Sequence, residues 1–283
     1  MSGERWTEVG EDVHVRRHES MDLNVGLVVG EGACLVVDTR ESEARARDLV
    51  EAIRMVTSHP WVIVNTHHHF DHSFGNAALR PARIWGHRRC AEAMLERGEQ
   101  TRRVVADRAR EVGDEATAAA YEQSRIDPPD ELVDDVVTLT VGGRPVHLRH
   151  LGLGHTDNDL VIVVPDADLL LAGDLVEEGA PPQFSSAYPL DWPGTLDALL
   201  ELVTGPVVPG HGAVVDRAHV ESQRDELARL ADLARTGYAD GRPAADVGRD
   251  VPYLGEFAEQ AAGKAYDQLR VLSSGRQPDA GAR

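Results

Sequence analysis

A chain of 283 residues, 42% hydrophobic and 27% charged, can bury one large α/β core, and none of its apolar runs is long enough to cross a bilayer. A formal net charge of −19 speaks against a nucleic-acid partner, since such binding neutralises phosphates with Lys and Arg. The expected partner is a small-molecule substrate, with no nucleic acid and no membrane; the oligomeric state is not legible.

The opening MSGERWTEVG lacks the apolar core of an export signal, so a cytoplasmic location is the default expectation. The two cysteines, Cys34 and Cys90, lie far apart in sequence and away from every metal-like cluster; in a reducing compartment they read as small buried residues rather than a disulfide. LNVGLVVG and ACLVVDT form a predicted hairpin through Glu31-Gly32, ending at Asp38. ESEARARDLVEAIRMV carries helical spacing, and HPWVIVNT reads as a buried strand. The polar loop THHHFDHSFGNAAL follows, then a short strand through ARIWG. From Arg88 to about Ile126 the chain is rich in Ala, Glu and Arg without proline, which predicts one long or two shorter helices able to cap a site.

The second half repeats this style. Strands are expected through VVTLTV, RPVHLRHL, LVIVVP and LLLAGD, the last ending at Asp174. A Pro-rich loop from Glu177 to Trp192 leads to helix GTLDALLELV and then to strand VVPG before His211. Helices are expected from about Asp216 to Leu233 and from Leu254 to Leu272, with a polar frayed tail from Ser273. The predicted organisation is a core over residues 1–215, with a helical insertion at about 88–127, and a helical extension over 216–283 packed on the same domain.

The chemistry concentrates in His67-His68-His69-Phe70-Asp71-His72. On an extended backbone His67 and His69 point to one side and His68 to the other, so two imidazoles can grip one metal. Asp71 and His72 follow where a bend can aim them at a second ion, and imidazole with carboxylate suits zinc. Four residues cannot complete two catalytic zinc sites, each of which takes three protein ligands and keeps a position open. His155 in GLGHTD, Asp174 in LLLAGD and His211 in VVPGHG are the further candidates, each at an expected strand end beside a glycine that permits a sharp turn or close approach. Asp38 and Thr156 are candidates to hydrogen-bond to ligands, with a plain turn role as the alternative. Phe70, Phe74, Phe184, Tyr188 and Trp192 lie in or beside the same loops; Tyr188 is singled out because a phenol can donate to an oxyanion.

Asp38 after a strand, THHHFDH, GHT, GD and PGHG, in this order over roughly residues 12 to 215, resemble the metallo-β-lactamase superfamily. The resemblance implies an α/β fold, a four-layer αββα sandwich with all ligands at one edge. It implies His67, His69 and His155 on a first metal, Asp71, His72 and His211 on a second, and Asp174 bridging them. Two Zn2+ per chain are then expected, with iron or manganese as alternatives, and a shared hydroxide as the nucleophile, which Asp71 would orient. The implied activity is hydrolysis of a small ester, lactone, thioester or amide. Alternatives within the resemblance are an iron-dependent oxidoreductase akin to persulfide dioxygenases, a glyoxalase II-like thioesterase and a β-lactamase. The Asp at position 174 resembles the broader hydrolases rather than the zinc β-lactamases. Arg217, Arg224, Arg229, Arg235 and Lys264 in the C-terminal stretch show no carboxylate clamp, which favours a small neutral or moderately apolar acyl substrate.

Overall fold

The computed structural model describes residues 5–274; the tail expected to fray falls, beyond Ser274, outside them. Seven strands form the first sheet in chain order: β1 (Trp6–Gly10), β2 (Val13–Arg17), β3 (Asn24–Gly30), β4 (Ala33–Val37), β5 (Trp61–Val64), β6 (Ile84–His87) and β7 (Glu131–Val133). The run from β1 to β4 is antiparallel, and β4 to β7 are parallel. Five strands form the second sheet: β8 (Val136–Val141), β9 (Arg144–His150), β10 (Leu160–Val164), β11 (Leu169–Glu177) and β12 (Val207–His211), antiparallel except for the last pair.

Period-two patterning explains the layering. On β4, Leu35 and Val37 join the core between the sheets with Val64, Leu148, Ile162 and Leu171, whereas Cys34 and Val36 face outward under α1 (Glu43–Val56). The outer face of the second sheet packs Val161, Ala172 and Val176 against α5 (Trp192–Leu200), α6 (Arg217–Ala239) and α8 (Gly255–Ser273). The C-terminal helices therefore share a core with the second sheet. These are the four layers of an αββα sandwich, edged by α2 (Phe70–Ser73), α3 (Arg88–Glu111), α4 (Glu115–Gln123) and α7 (Ala244–Val247).

Two expectations need correction, and one open alternative is settled. β1, β2 and β7 were not anticipated: β1 is half exposed and β7 is three residues long, so neither carries a clear alternation. Of the two readings of the block after Arg88, the structure takes the two shorter helices, because Asp114 caps a new one by accepting from Thr117 N. The strand expected to end at Asp174 continues to Glu177, all nine of its residues buried between β10 and β12. Asp174 thus lies inside a strand, just after Gly173 (φ 54°), where the pairing with β12 slips before resuming at Glu177 and His211.

No helix among the described residues is long and apolar enough to cross a membrane. Both cysteines are free and fully buried, and burial pushes the Cys34 thiol up to about 11 and that of Cys90 well above its ordinary value. A chromogenic disulfide reagent is therefore expected to modify neither thiol in the folded protein and both after denaturation. Rapid reaction in the folded state would contradict this packing.

Candidate metal centre

The loop after β5 bends instead of extending, yet it gathers His67 and His69 and turns His68 away. Asn65 and Asn76 pin it: Asn65 Nδ2 donates to His72 O and Asn76 Oδ1, and Asn76 Nδ2 donates back to Asn65 Oδ1 at 2.8 Å. Helix α2 begins at Phe70, so Asp71 and His72 leave the loop on a helical turn. His155 follows β9, Asp174 lies in β11 and His211 ends β12, so the second sheet delivers three side chains to the loop of the first.

Two groups result. His67, His69, His155 and Asp174 each offer one atom to a common point, as do Asp71, His72 and His211, all within 4.8 Å in each group. Asp174 belongs to both in effect. Its Oδ2 lies 3.5 Å from His67 Nε2, 3.4 Å from His155 Nε2 and 3.5 Å from His211 Nε2, while its Oδ1 is 3.1 Å from His72 Nε2. His211 Nε2 is also 3.3 Å from Asp71 Oδ2. This crowding requires Gly210, where a Cβ would fall 1.8 Å from Asp174 Oδ1.

Outer contacts orient the rings. Asp38, whose φ of 66° turns the chain, accepts from Thr66 N, Thr66 Oγ1 and His72 Nδ1, all at 2.8 Å, leaving His72 Nε2 aimed at the cluster. His211 Nδ1 donates to Met21 O at 2.7 Å with the same result. His69 Nε2 lies 3.1 Å from Ser186 Oγ, which turns its Nδ1 inward, and His68 is held by Asn158. Thr156 touches no ligand candidate: its N and Oγ1 donate to Asp159, and it shapes the turn that carries His155. Asp38 therefore takes the supporting role and Thr156 the turn role. Met21, Ser186 and Asn158 went unnoticed in the sequence, since a backbone acceptor and lone polar residues carry no spacing signal.

Burial opposes charge on every member, yet neighbours decide the outcome. The carboxylates Asp174, Asp38 and Asp71 overcome burial and hold His72 well above the ordinary histidine value; Asp174 and Asp71 do the same for His211. Burial and neighbouring imidazoles push His67 and His69 well down. Against its burial, the surrounding imidazoles hold Asp174 well below the carboxylate range. Glu177, buried with Oε1 lacking a hydrogen-bond partner among the described residues, is pushed well up by burial and by Asp174.

This donor set fits a cation. His155 Nε2 and His69 Nδ1 face each other at 2.9 Å, as do His72 Nε2 and His211 Nε2 at 3.3 Å. His67 Nε2 is buried without a hydrogen-bond partner. Imidazole nitrogens and carboxylate oxygens that converge in so small a buried space suit a borderline metal ion with nitrogen and oxygen ligands.

The cluster floors a cleft of about 1110 Å³, walled by α3, the loop 178–191 and α8. Phe70, Phe74 and Tyr188 line it, whereas Phe184 and Trp192 are fully buried and pack the core. Tyr188 is half-buried, and its hydroxyl makes no hydrogen bond among the described residues. Of the five aromatics weighed from sequence, three reach the cleft.

The sequence model of the metallo-beta-lactamase superfamily matches residues 22–211. A metallo-beta-lactamase type 2 of Bacillus cereus is 26% identical over 203 residues, 68% of each chain. Among solved structures, a metallo-beta-lactamase from Pontibacter korlensis superposes with a TM-score of 0.63 at 19% identity, over 80% of this chain and 99% of that one. The sec-alkylsulfatase Pisa1 from Pseudomonas sp. gives 0.76 at 16% identity, over 99% of this chain and 52% of that one. These two structures share the fold.

Because their carboxylate neighbours hold His72 and His211 protonated at neutral pH without metal, and a ligand nitrogen must be deprotonated, metal uptake must expel protons. Affinity then falls as pH falls. Zinc titration calorimetry at pH 7 in two buffers of different ionisation enthalpy is expected to show more than one proton released per chain. No release would contradict this charge arrangement.

Proposed function

The chain belongs to the metallo-beta-lactamase superfamily, and from that premise we propose that it is a hydrolase holding two zinc ions and cleaving a small ester, lactone, thioester or amide. The observation that carries this reading is the convergence of His67, His69, His155 and Asp174 with Asp71, His72 and His211 beneath one cleft, which His69, Asp71, His155, Asp174 and His211 line.

In this reading His67, His69 and His155 hold the first ion, Asp71, His72 and His211 the second, and Asp174 is shared. Such a pair supplies a Lewis acid for the substrate's oxygen and makes water acidic enough to serve as a nucleophile near neutral pH. The Asp71 carboxylate, kept ionised against its burial by His72 and His211, accepts the proton of the attacking water. Tyr188, with its hydroxyl uncommitted, donates to the oxygen that gains charge as the carbonyl is attacked. Phe70, Met94 and Val105 line the cleft with apolar surface and exclude water around the scissile bond.

The test is a panel of aryl esters, lactones, a cephalosporin and S-lactoylglutathione on metal-analysed protein. Turnover of an ester or lactone should vanish on chelation, return with about two equivalents of zinc, and drop roughly 10²-fold or more in Asp71→Ala. Tyr188→Phe should lower kcat more than it alters KM. Zinc-loaded protein inert across the panel, or activity indifferent to chelation, would overturn the proposal.

A further inference from the structure

Helix α3 turns one face to the cleft, and Met94, Arg97, Thr101, Val105 and Arg108 recur along it at helical spacing. Two cations of the lining, Arg97 and, on α8, Lys264, are half-buried and make no hydrogen bond or ion pair among the described residues, unlike the other two. Arg235, on α6, donates to Leu190 O at 3.1 Å and lies 3.5 Å from Asp232. Arg108 is exposed. Arg97 is half-buried and makes no hydrogen bond or ion pair among the described residues, although the chain holds 48 acidic residues against 29 basic ones. It lines the same cleft as His69, Asp71 and Tyr188, so the guanidinium stands on the wall of the cavity into which the candidate metal centre opens. Asp157 is an acid of the same lining, and its carboxylate is engaged by Asn158 Nδ2 at 2.7 Å rather than paired with Arg97.

A half-buried cation without a counter-ion has lost part of its hydration and gained nothing in exchange, so a ligand anion that reaches it gains more than it would from a solvated surface arginine. The planar fork suits a carboxylate in particular. Phe70, Met94 and Val105 on the same wall supply apolar surface for the body that carries such a group. The cleft, about 1110 Å³, exceeds the usual ~300–1,000 Å³ of small-molecule pockets and leaves room for both parts.

We propose that Arg97 is a specificity-determining residue that binds a carboxylate on the substrate, so that the compound hydrolysed is an acyl derivative with an apolar body and an anionic end. This rests on the hydrolase reading above and replaces the expectation of a neutral substrate. That expectation searched for cations in the C-terminal helices, whereas this one stands on the helical insertion.

Two matched probes test it. On zinc-loaded protein, kcat/KM is measured for 4-acetoxybenzoate and for 4-methylphenyl acetate, which differ in a carboxylate against a methyl group. The wild type is expected to favour the carboxylate ester, and Arg97→Ala to lower the ratio of the two roughly 10- to 100-fold, with Arg97→Lys restoring part of it. Binding of biphenyl-4-carboxylate and biphenyl-4-carboxamide, followed by calorimetry, reads the same contact without turnover: Arg97→Ala should weaken the carboxylate about tenfold and leave the carboxamide unaltered. A ratio unchanged in Arg97→Ala, an equal loss on both esters, or a ratio that collapses in Lys264→Ala instead would overturn the proposal while leaving the hydrolase reading intact. Carboxylate binding equal in wild type and Arg97→Ala would place the anion on the metals and also overturn it. Arg97-dependent carboxylate binding in a protein that cleaves neither ester would support the subsite and count against the hydrolase reading.

Discussion

One buried carboxylate organises this protein. Asp174, 4% exposed, faces four imidazoles at 3.1–3.5 Å, and those imidazoles come from the loop after β5, helix α2, the turn after β9 and the end of β12. Burying that many polar groups together costs free energy unless a partner satisfies them, and a cation satisfies nitrogen lone pairs and carboxylate oxygens at once. Metal binding is then coupled to the stability of this edge of the fold, because a chain without the fold cannot present the seven side chains together.

The sandwich converts that local demand into architecture. The first sheet contributes the loop and its braces, Asn65, Asn76 and Asp38; the second contributes His155, Asp174 and His211. The core between the sheets fixes their separation, and two close contacts transmit it to the site: Asp38 binding Thr66 and His72 together, and Gly210 leaving space beside Asp174. Bonds from Asn24 Nδ2 to Pro209 O and Gly212 O tie the β3 edge to the segment bearing His211. Rings held at both ends lose little freedom when an ion arrives, which is how preorganised sites gain affinity.

Much of this was legible in sequence. Glycines and histidines at the ends of apolar strands gave the order of the halves, and the candidates that sequence spacing placed near metals are those that converge. What escaped reading has physical causes. Asp174 reads as a strand terminus because the slip at Gly173 and the pairing of Glu177 with His211 depend on β12, more than thirty residues away in sequence. Phe184 and Trp192 sit in a polar, Pro-rich stretch that suggests exposure, yet both are buried, packed against each other at 6.0 Å, because α6 and α8 cover them. Arg97 looked like one arginine among many on a charged helix; its lack of a partner is a property of the assembled cleft.

The central claim is that these side chains hold a pair of metal ions through nitrogen and oxygen alone. X-ray absorption at the zinc edge of protein loaded with two equivalents tests it directly. The account predicts nitrogen and oxygen scatterers at ~2.0–2.2 Å, no sulfur at ~2.3 Å, and a zinc–zinc vector near ~3.5–4 Å. Sulfur ligation, or isolated ions without the metal–metal vector, would contradict it.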